Sequence, residues 1–311
     1  MRHRPLLRRV ALAFGMIAGL VAPLAASAET VMERAARTGE LSLGGPSELP
    51  PYSVVVGGQR VGLSLDVANR IAAEVSAYLG KPIKVVYDSV VDPAVLFRQV
   101  SRGDLDLSCG AQFTWEREMF VDYTLPFSLS GIRVLTRSGR LDGTAASLAG
   151  KRIGVVPGSL GAAALASLQP KAVAVPQATL EAAVAALVAG KLDGVAGDSI
   201  VLAASLPRDA AKGYALVPGE AYARYAVGCI LPENNSTFRN LANVAIAKLL
   251  QGYLQGEASA VATVDRWLGP RSALQLPPEV IKAYFETVLL THEQIRLTTP
   301  SAAAAGAPSA N

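Results

Sequence analysis

Twice along this 311-residue chain, short apolar runs alternate with helix-periodic segments, a pattern that points to α/β architecture with parallel strands. The first series opens with LSLGG at 41–45 and continues in a helix over about 65–79, with Val67, Ile71, Val75 and Leu79 on one stripe. Gly80 and Pro82 close that helix, and IKVVY follows as a strand. Asp92-Pro93 reads as an N-cap with proline at the first helical position, and the helix it starts ends at Gly103 before a strand LDLS. The second series runs from RIGVV at 152 through a helix near 159–168, a strand AVAV, a helix near 179–189 closed by Gly190, and a strand DGVA. Between them lie VDYTLPFSLSGIRVLT and a turn-rich stretch at 140–147. Long helices follow near 237–254 and 257–268, then PPEVIKAYFETVLL, and the low-complexity tail TTPSAAAAGAPSAN reads as disordered. A chain of this size has room for two medium domains, each able to bury a core.

The first 28 residues read as a secretory signal: a basic start, an apolar run from Val10 to Ala22, and Ala26-Ser27-Ala28 as a small-residue cleavage site. Thirteen residues in that run are too few for a helical span, which needs about 20. Arg8-Arg9 is compatible with twin-arginine export, but basic pairs are common in ordinary signals, and general export into the periplasm is the reading adopted. The signal also explains the charge. Of 29 Lys and Arg against 25 Asp and Glu, four arginines lie before residue 28, so the remainder is balanced at 25 against 25. A nucleic-acid binder keeps a basic surplus in its folded part, so nucleic acid is not an expected partner.

Export into an oxidising space gives Cys109 and Cys229 a reason to pair, since both sit in strand-like runs, DLDLSCG and YAVGCIL. Two buried free thiols are the equal alternative. His292 is the single histidine after residue 28, so neither a structural zinc site nor a Ser-His-Asp or Cys-His mechanism is expected, and no cofactor is implied.

Open α/β sheets bind ligands at the carboxyl ends of their strands, and three loops there carry suitable groups. In CGAQFTWER, Thr114 can cap a short helix bearing Arg117, whose planar fork matches a carboxylate; an ordinary surface arginine is the competing reading. In VVPGSLGAAAL, backbone N–H groups at a helix start and the Ser159 hydroxyl form an anion site, although every βα unit needs such a turn. In GKLDGVAGDSI, Asp198 ends a strand, where it can hold an ammonium group or cap the next helix. An anion clamp with a cation partner is the complement of a zwitterion. Tyr52, Phe113 and Trp115 can line an apolar slot, with core packing as the default.

Taken in order, RTGELSLG, ELPPYS, VGLSLDVANRIA, RGDLDLSCG, ER followed by VDYTLPF, LAGKRIGVVPGS and LVAGKLDGVAGD resemble the periplasmic amino-acid-binding proteins of ABC importers, the family 3 extracellular solute receptors. The likeness runs from about Ala35 to Leu297, and CG at 109–110 with GCIL at 228–231 looks closest to the glutamate/aspartate branch. The resemblance implies a type II periplasmic-binding-protein fold, two α/β lobes joined by two crossover strands that form a hinge. Between the signal at 1–28 and the low-complexity tail at 298–311, it implies a first lobe at 29–127 plus 222–297 and a second lobe at 128–221. It places Cys109 and Cys229 on neighbouring strands of the first lobe. It further implies that Arg117 binds the ligand α-carboxylate with help from main-chain groups near Gly110 and Gln112, that Ser159 adds hydrogen bonds, that Asp198 holds the α-ammonium, and that Tyr52 packs on the ligand.

The acidic branch carries further basic residues for a side-chain carboxylate, and none stands around Pro46–Ser47 or Val95–Leu96, so a neutral or apolar amino acid fits better. The expected protein is therefore a monomeric, non-enzymatic receptor serving an inner-membrane ABC permease. Two alternatives stand beside it: an exported enzyme resembling cyclohexadienyl dehydratases, with Glu48 or Glu116 as its general acid, and a receptor that serves a sensor without transport.

Overall fold

The computed structural model describes residues 29–206 and 211–291. The expected signal at 1–28 and tail at 298–311 lie outside those residues.

Helix α1 (Val31–Thr38) starts in a reciprocal capping box between Thr30 and Glu33 and stops at Gly39, whose left-handed conformation ends the turn. Strand β1 (Glu40–Gly45) follows, then a hairpin of β2 (Val54–Val56) and β3 (Gln59–Val61). Helix α2 (Leu63–Leu79) buries Leu63, Val67, Ala68, Ile71, Ala72 and Val75, the stripe its periodicity marks, and β4 (Lys84–Ser89) pairs in parallel with β1. Helix α3 (Pro93–Ser101) is capped by Asp92, whose side chain accepts from the N–H groups of Ala94 and Val95. Strand β5 (Ser108–Gln112), the short helix α4 (Trp115–Glu118) and β6 (Asp122–Tyr123) complete the first pass.

Strand β7 (Ser128–Arg137) then leaves for the second lobe, which contains α5 (Ala145–Leu148), β8 (Arg152–Val155), α6 (Leu160–Leu168), β9 (Val173–Pro176), α7 (Leu180–Val188), β10 (Gly194–Asp198), α8 (Ser199–Ala204) and β11 (Tyr214–Val217). Strand β12 (Ala223–Leu231) returns to the first lobe, followed by α9 (Ser236–Leu254), α10 (Ala258–Trp267) and α11 (Pro278–Thr291).

The two lobes are joined through β7 and β12, which pair antiparallel over Ser128–Ile132 and Ala223–Val227. Past that overlap each strand serves a different lobe: β12 pairs with β5 and β6, and β7 with β10 and β11. These are the two crossover strands. Among the described residues, the parallel strand pairs are β1–β4, β8–β9 and β8–β10, with one isolated parallel bridge at Leu43–Leu107, so the sheets are mixed. The alternation of strand and helix accounts only for the parallel pairs; the two crossover strands run against their neighbours. The expected strand LDLS is also displaced. Strand β5 begins at Ser108, and Leu107 makes an isolated bridge to Leu43. Asp106, just before it, is buried and accepts from the N–H and hydroxyl of Ser42 and from Arg34, so a side chain occupies what a regular ladder would use.

In the first lobe α2 and α9 pack together on one side of the sheet, where Phe238, Ile246, Leu249, Leu250 and Tyr253 of α9 meet Leu41, Leu43, Val67 and Ile71. Each such fully buried aliphatic or aromatic side chain contributes about 1.5–3 kcal/mol. A smaller cluster of Val100, Leu105, Val121 and Ile230 covers the face under α3. The second lobe has a cluster on each side of its sheet, one around Ile153, Val155 and Leu165 and one around Leu135, Val184 and Val195. Among the described residues no helix is long and apolar enough to cross a membrane.

Candidate functional site

A cavity of about 350 Å³ opens between the lobes. Its walls come from chain leaving the carboxyl ends of strands: Ser47, Glu48 and Leu49 after β1, Val91 after β4, Gly110 and Gln112 on β5, Val156 and Ser159 after β8, Thr179 after β9, and Asp198 at the end of β10. Of the six residues singled out for binding, Arg117, Asp198, Ser159, Gly110 and Gln112 line this one cavity.

Arg117 is placed by Thr114, whose hydroxyl accepts from the Arg117 N–H and caps α4. Its Nη1 donates to the Gln112 main-chain oxygen at 3.2 Å and lies 3.5 Å from Gln112 Oε1. The guanidinium makes no ion pair with any described residue, so its charge is free for an anion. Gly110 is the extra residue of a bulge, since Ala111 pairs with Gly228 and Cys109 with Cys229. Its φ of 90° suits glycine, and a Cβ there would lie 3.0 Å from Cγ of Tyr52. Beside it Cys109 and Cys229 form a disulfide, with sulfurs 2.02 Å apart, which settles the choice left open between a bond and two free thiols.

Asp198 caps α8, one of the two roles its sequence context allowed, and also lines the cavity. Its Oδ1 accepts from the N–H groups of Ile200 and Val201 at 2.9 and 3.0 Å and from the Ser130 hydroxyl at 2.7 Å. Its Oδ2 accepts from the Tyr225 hydroxyl at 3.2 Å and from Gln112 Nε2 at 3.4 Å. All five donors are neutral. Burial therefore pushes the carboxyl above the ordinary aspartate range, opposed by those hydrogen bonds. Burial and the neighbouring Asp198 charge raise the Tyr225 phenol as well. Ser159 caps α6, its oxygen accepting from the Ala162 N–H at 3.2 Å, which leaves its hydroxyl proton to donate. Gly161 brings that helix start against β10: a Cβ there would lie 2.7 Å from the Ala196 oxygen.

Tyr52 requires a correction. It is 1% exposed and outside the cavity lining, with its ring edge-on to Phe127 and its hydroxyl donating to Ser128 Oγ at 3.3 Å. Leu49 and Ser47, earlier in the same loop, face the cavity instead. Phe113 and Trp115 also lie outside the lining; Phe113 packs edge-on between Trp115 and Tyr123, and Trp115 is largely exposed. The apolar wall is built from Leu49, Val91, Leu96, Phe97, Leu160 and Leu180. Sequence reasoning missed Tyr123, which lines the cavity and donates to the Gln112 main-chain oxygen at 2.8 Å, and the pair Ser130 and Tyr225 on the crossover strands. Tyr123 sits within the quoted VDYTLPF run, but nothing local marks which of its side chains faces a cavity. Glu48 lines the cavity rim with Oε1 accepting from the Val55 N–H at 3.2 Å, whereas Glu116 is exposed and outside the lining.

Residues 41–267 match the family described as bacterial extracellular solute-binding proteins, family 3. A putative ABC transporter arginine-binding protein 2 of Escherichia coli (strain K12) is 27% identical over 204 residues, covering 64% of this chain and 81% of that protein. Among solved structures, a mutant of ArgBP from T. maritima superposes with a TM-score of 0.65 at 19% identity, covering 76% of this chain and 98% of that one. An ancestral amino-acid-binding protein, a precursor of cyclohexadienyl dehydratase, gives 0.64 at 19% identity, covering 77% and 100%. These two likenesses support the two-lobed fold, and the match over 41–267 carries the assignment: the chain belongs to the family 3 bacterial extracellular solute-binding proteins.

Proposed function

We propose that the protein is a periplasmic receptor that binds one amino acid between its lobes and presents the closed form to an inner-membrane ABC permease. The observation that carries this reading is the pair of opposite charges in one cavity, Arg117 on the first lobe and Asp198 on the second. Arg117 takes the α-carboxylate, Asp198 the α-ammonium, and Ser159, Gly110 and Gln112 supply further hydrogen bonds. Because the two charged contacts come from different lobes, ligand stabilises the closed arrangement over the open one, and that difference drives closure. The lobes divide at about 127 and 222, the protein acts as a monomer, and an exported chain loses residues 1–28.

A neutral or apolar ligand side chain suits the wall of Leu49, Val91, Leu96 and Phe97. Among the described residues the lining holds no cation besides Arg117 for a side-chain carboxylate, which speaks against the acidic branch. A cationic side chain is the second reading. Glu48 and Glu181 stand in the lining, and most of the similar proteins are named for arginine binding or for bound arginine. The receptor is not an enzyme in this reading, since Glu48 at the rim is engaged by the Val55 N–H and Glu116 lies outside the cavity.

A thermal-shift screen of residues 29–311 against the amino acids, with prephenate and arogenate included, tests the proposal. At one hundred times its dissociation constant a ligand adds about 2.7 kcal/mol of stability, a readable rise in Tm. Stabilisation by leucine, alanine or glutamine without turnover of prephenate or arogenate is the expected result. Stabilisation by arginine or lysine alone moves the reading to cationic ligands, and no shift with any amino acid overturns it.

A further inference from the structure

The cavity wall at Pro46–Leu49 is a loop with no regular ladder of its own, yet it is held by a dense set of contacts from behind. Arg60, on the outer hairpin strand β3, donates from Nη1 to the Ser47 oxygen at 3.2 Å and to Ser53 Oγ at 3.1 Å, and from Nη2 to Ser47 Oγ at 3.3 Å. Its guanidinium carbon stacks 3.9 Å from the centre of the Tyr87 ring. Tyr87 in turn donates to the Pro46 oxygen at 2.7 Å, and Ser47 Oγ meets Ser89 Oγ at 2.7 Å. Strand β2 adds the Val55 N–H on Glu48. Arg60 itself does not line the cavity, whereas Ser47 does, on the same lobe as Val91 and Leu96 of the apolar wall.

We propose that Arg60 is a specificity-determining positioning residue: by gripping both the main-chain and side-chain oxygens of Ser47, it fixes the wall that meets the ligand side chain. This rests on the cavity being an amino-acid site. The grip needs the planar fork of arginine, because two nitrogens about 2.3 Å apart address two oxygens of one residue while the flat face lies on Tyr87. Lysine keeps the charge but places a single point donor there. With the α-groups assigned to Arg117 and Asp198, this wall is left to face the part of the ligand that differs between amino acids. Loosening it therefore changes selectivity more than binding as such.

The test is calorimetric titration of the parent, Arg60→Lys and Arg60→Met with alanine, leucine, phenylalanine and glutamine, which share their α-groups and differ in the side chain. The parent's affinity ratios between these ligands are expected to shift by about tenfold in both variants, the effect of a methylene-sized change in an apolar pocket. A Tyr87→Phe variant, which drops the bond to the Pro46 oxygen, is expected to shift the same ratios in the same sense. If Arg60→Lys keeps the parent's ratios, or all four affinities fall by one common factor, the inference is overturned, and that holds even where Arg60→Met fails to fold. Binding of none of the four ligands by the parent refutes the neutral or apolar reading and with it the inference as stated, a result distinct from unchanged ratios in a parent that binds.

Discussion

The side-chain amide of Gln112 donates to Asp198 Oδ2 across the cavity at 3.4 Å, while the main-chain oxygen of the same residue accepts from Arg117. One residue of β5 thus touches both charged groups, the cation of its own lobe and the anion of the other. The long contact to Asp198 is the weakest of that carboxylate's five, and an incoming ammonium can replace it at the cost of one neutral hydrogen bond.

Arg117→Ala is expected to weaken ligand binding by about 2–5 kcal/mol, roughly 30-fold to several thousand-fold, because it leaves a ligand carboxylate unpaired in the closed cavity. Isothermal titration with the ligand found by thermal shift measures it. Equal affinity in the variant would remove Arg117 from the site.

The raised carboxyl of Asp198 gives opposite pH trends for stability and binding. Its pKa in the folded protein lies above the unfolded value of about 3.9, so its contribution to stability is fully present below that pH and is lost as pH rises through the folded value. An α-ammonium needs the ionised form, so affinity rises across the same window. Asp198→Asn is expected to flatten the pH dependence of unligated stability above pH 4 and to cost about 2 kcal/mol or more in binding. Urea denaturation and titrations at several pH values read both.

Cys109 and Cys229 close a loop of sequence separation 120 between adjacent strands β5 and β12. Reduction, or replacement of both by alanine, is expected to lower unfolding free energy by about 2–5 kcal/mol. Guanidinium denaturation with and without reductant measures the difference, and coincident curves would mean that the bond contributes nothing.

Helix α11 lies beyond the family match at 41–267, yet it is part of the first-lobe core. Phe285 is 1% exposed and stacks edge-on with Tyr253 of α9, and Tyr284 donates to the Ser128 oxygen at the start of β7. Phe285→Ala is expected to cost about 3–5 kcal/mol of stability. A change under 1 kcal/mol in chemical denaturation would show α11 to be an appendage.

Much of the fold and of the candidate site is legible in the amino-acid order alone. The stripe Val67, Ile71, Val75 and Leu79 predicts the inward face of α2, with Leu79 half-buried at its end, and Asp92-Pro93 and Ser159 mark helix starts, because periodicity and caps are local properties of the chain. Ordered short motifs bring out Arg117, Asp198, Gly110, Gln112 and Ser159, all on one cavity. Tyr52 escapes this reasoning because an aromatic ring in an irregular loop can face either the core or the cleft, and the choice depends on Phe127 and Ser128, some 75 positions away.

The sequence by itself determined where most helices begin, the balanced charge of the folded part and the residue types at strand ends, since each depends on near neighbours. Tertiary structure alone decided that β7 and β12 run antiparallel between the lobes, that Asp198 is buried among five neutral donors from four elements, and that Arg60 stands behind Ser47. Those relations join residues far apart in the chain. Their energies depend on burial and on distances of about 3 Å that no local pattern specifies.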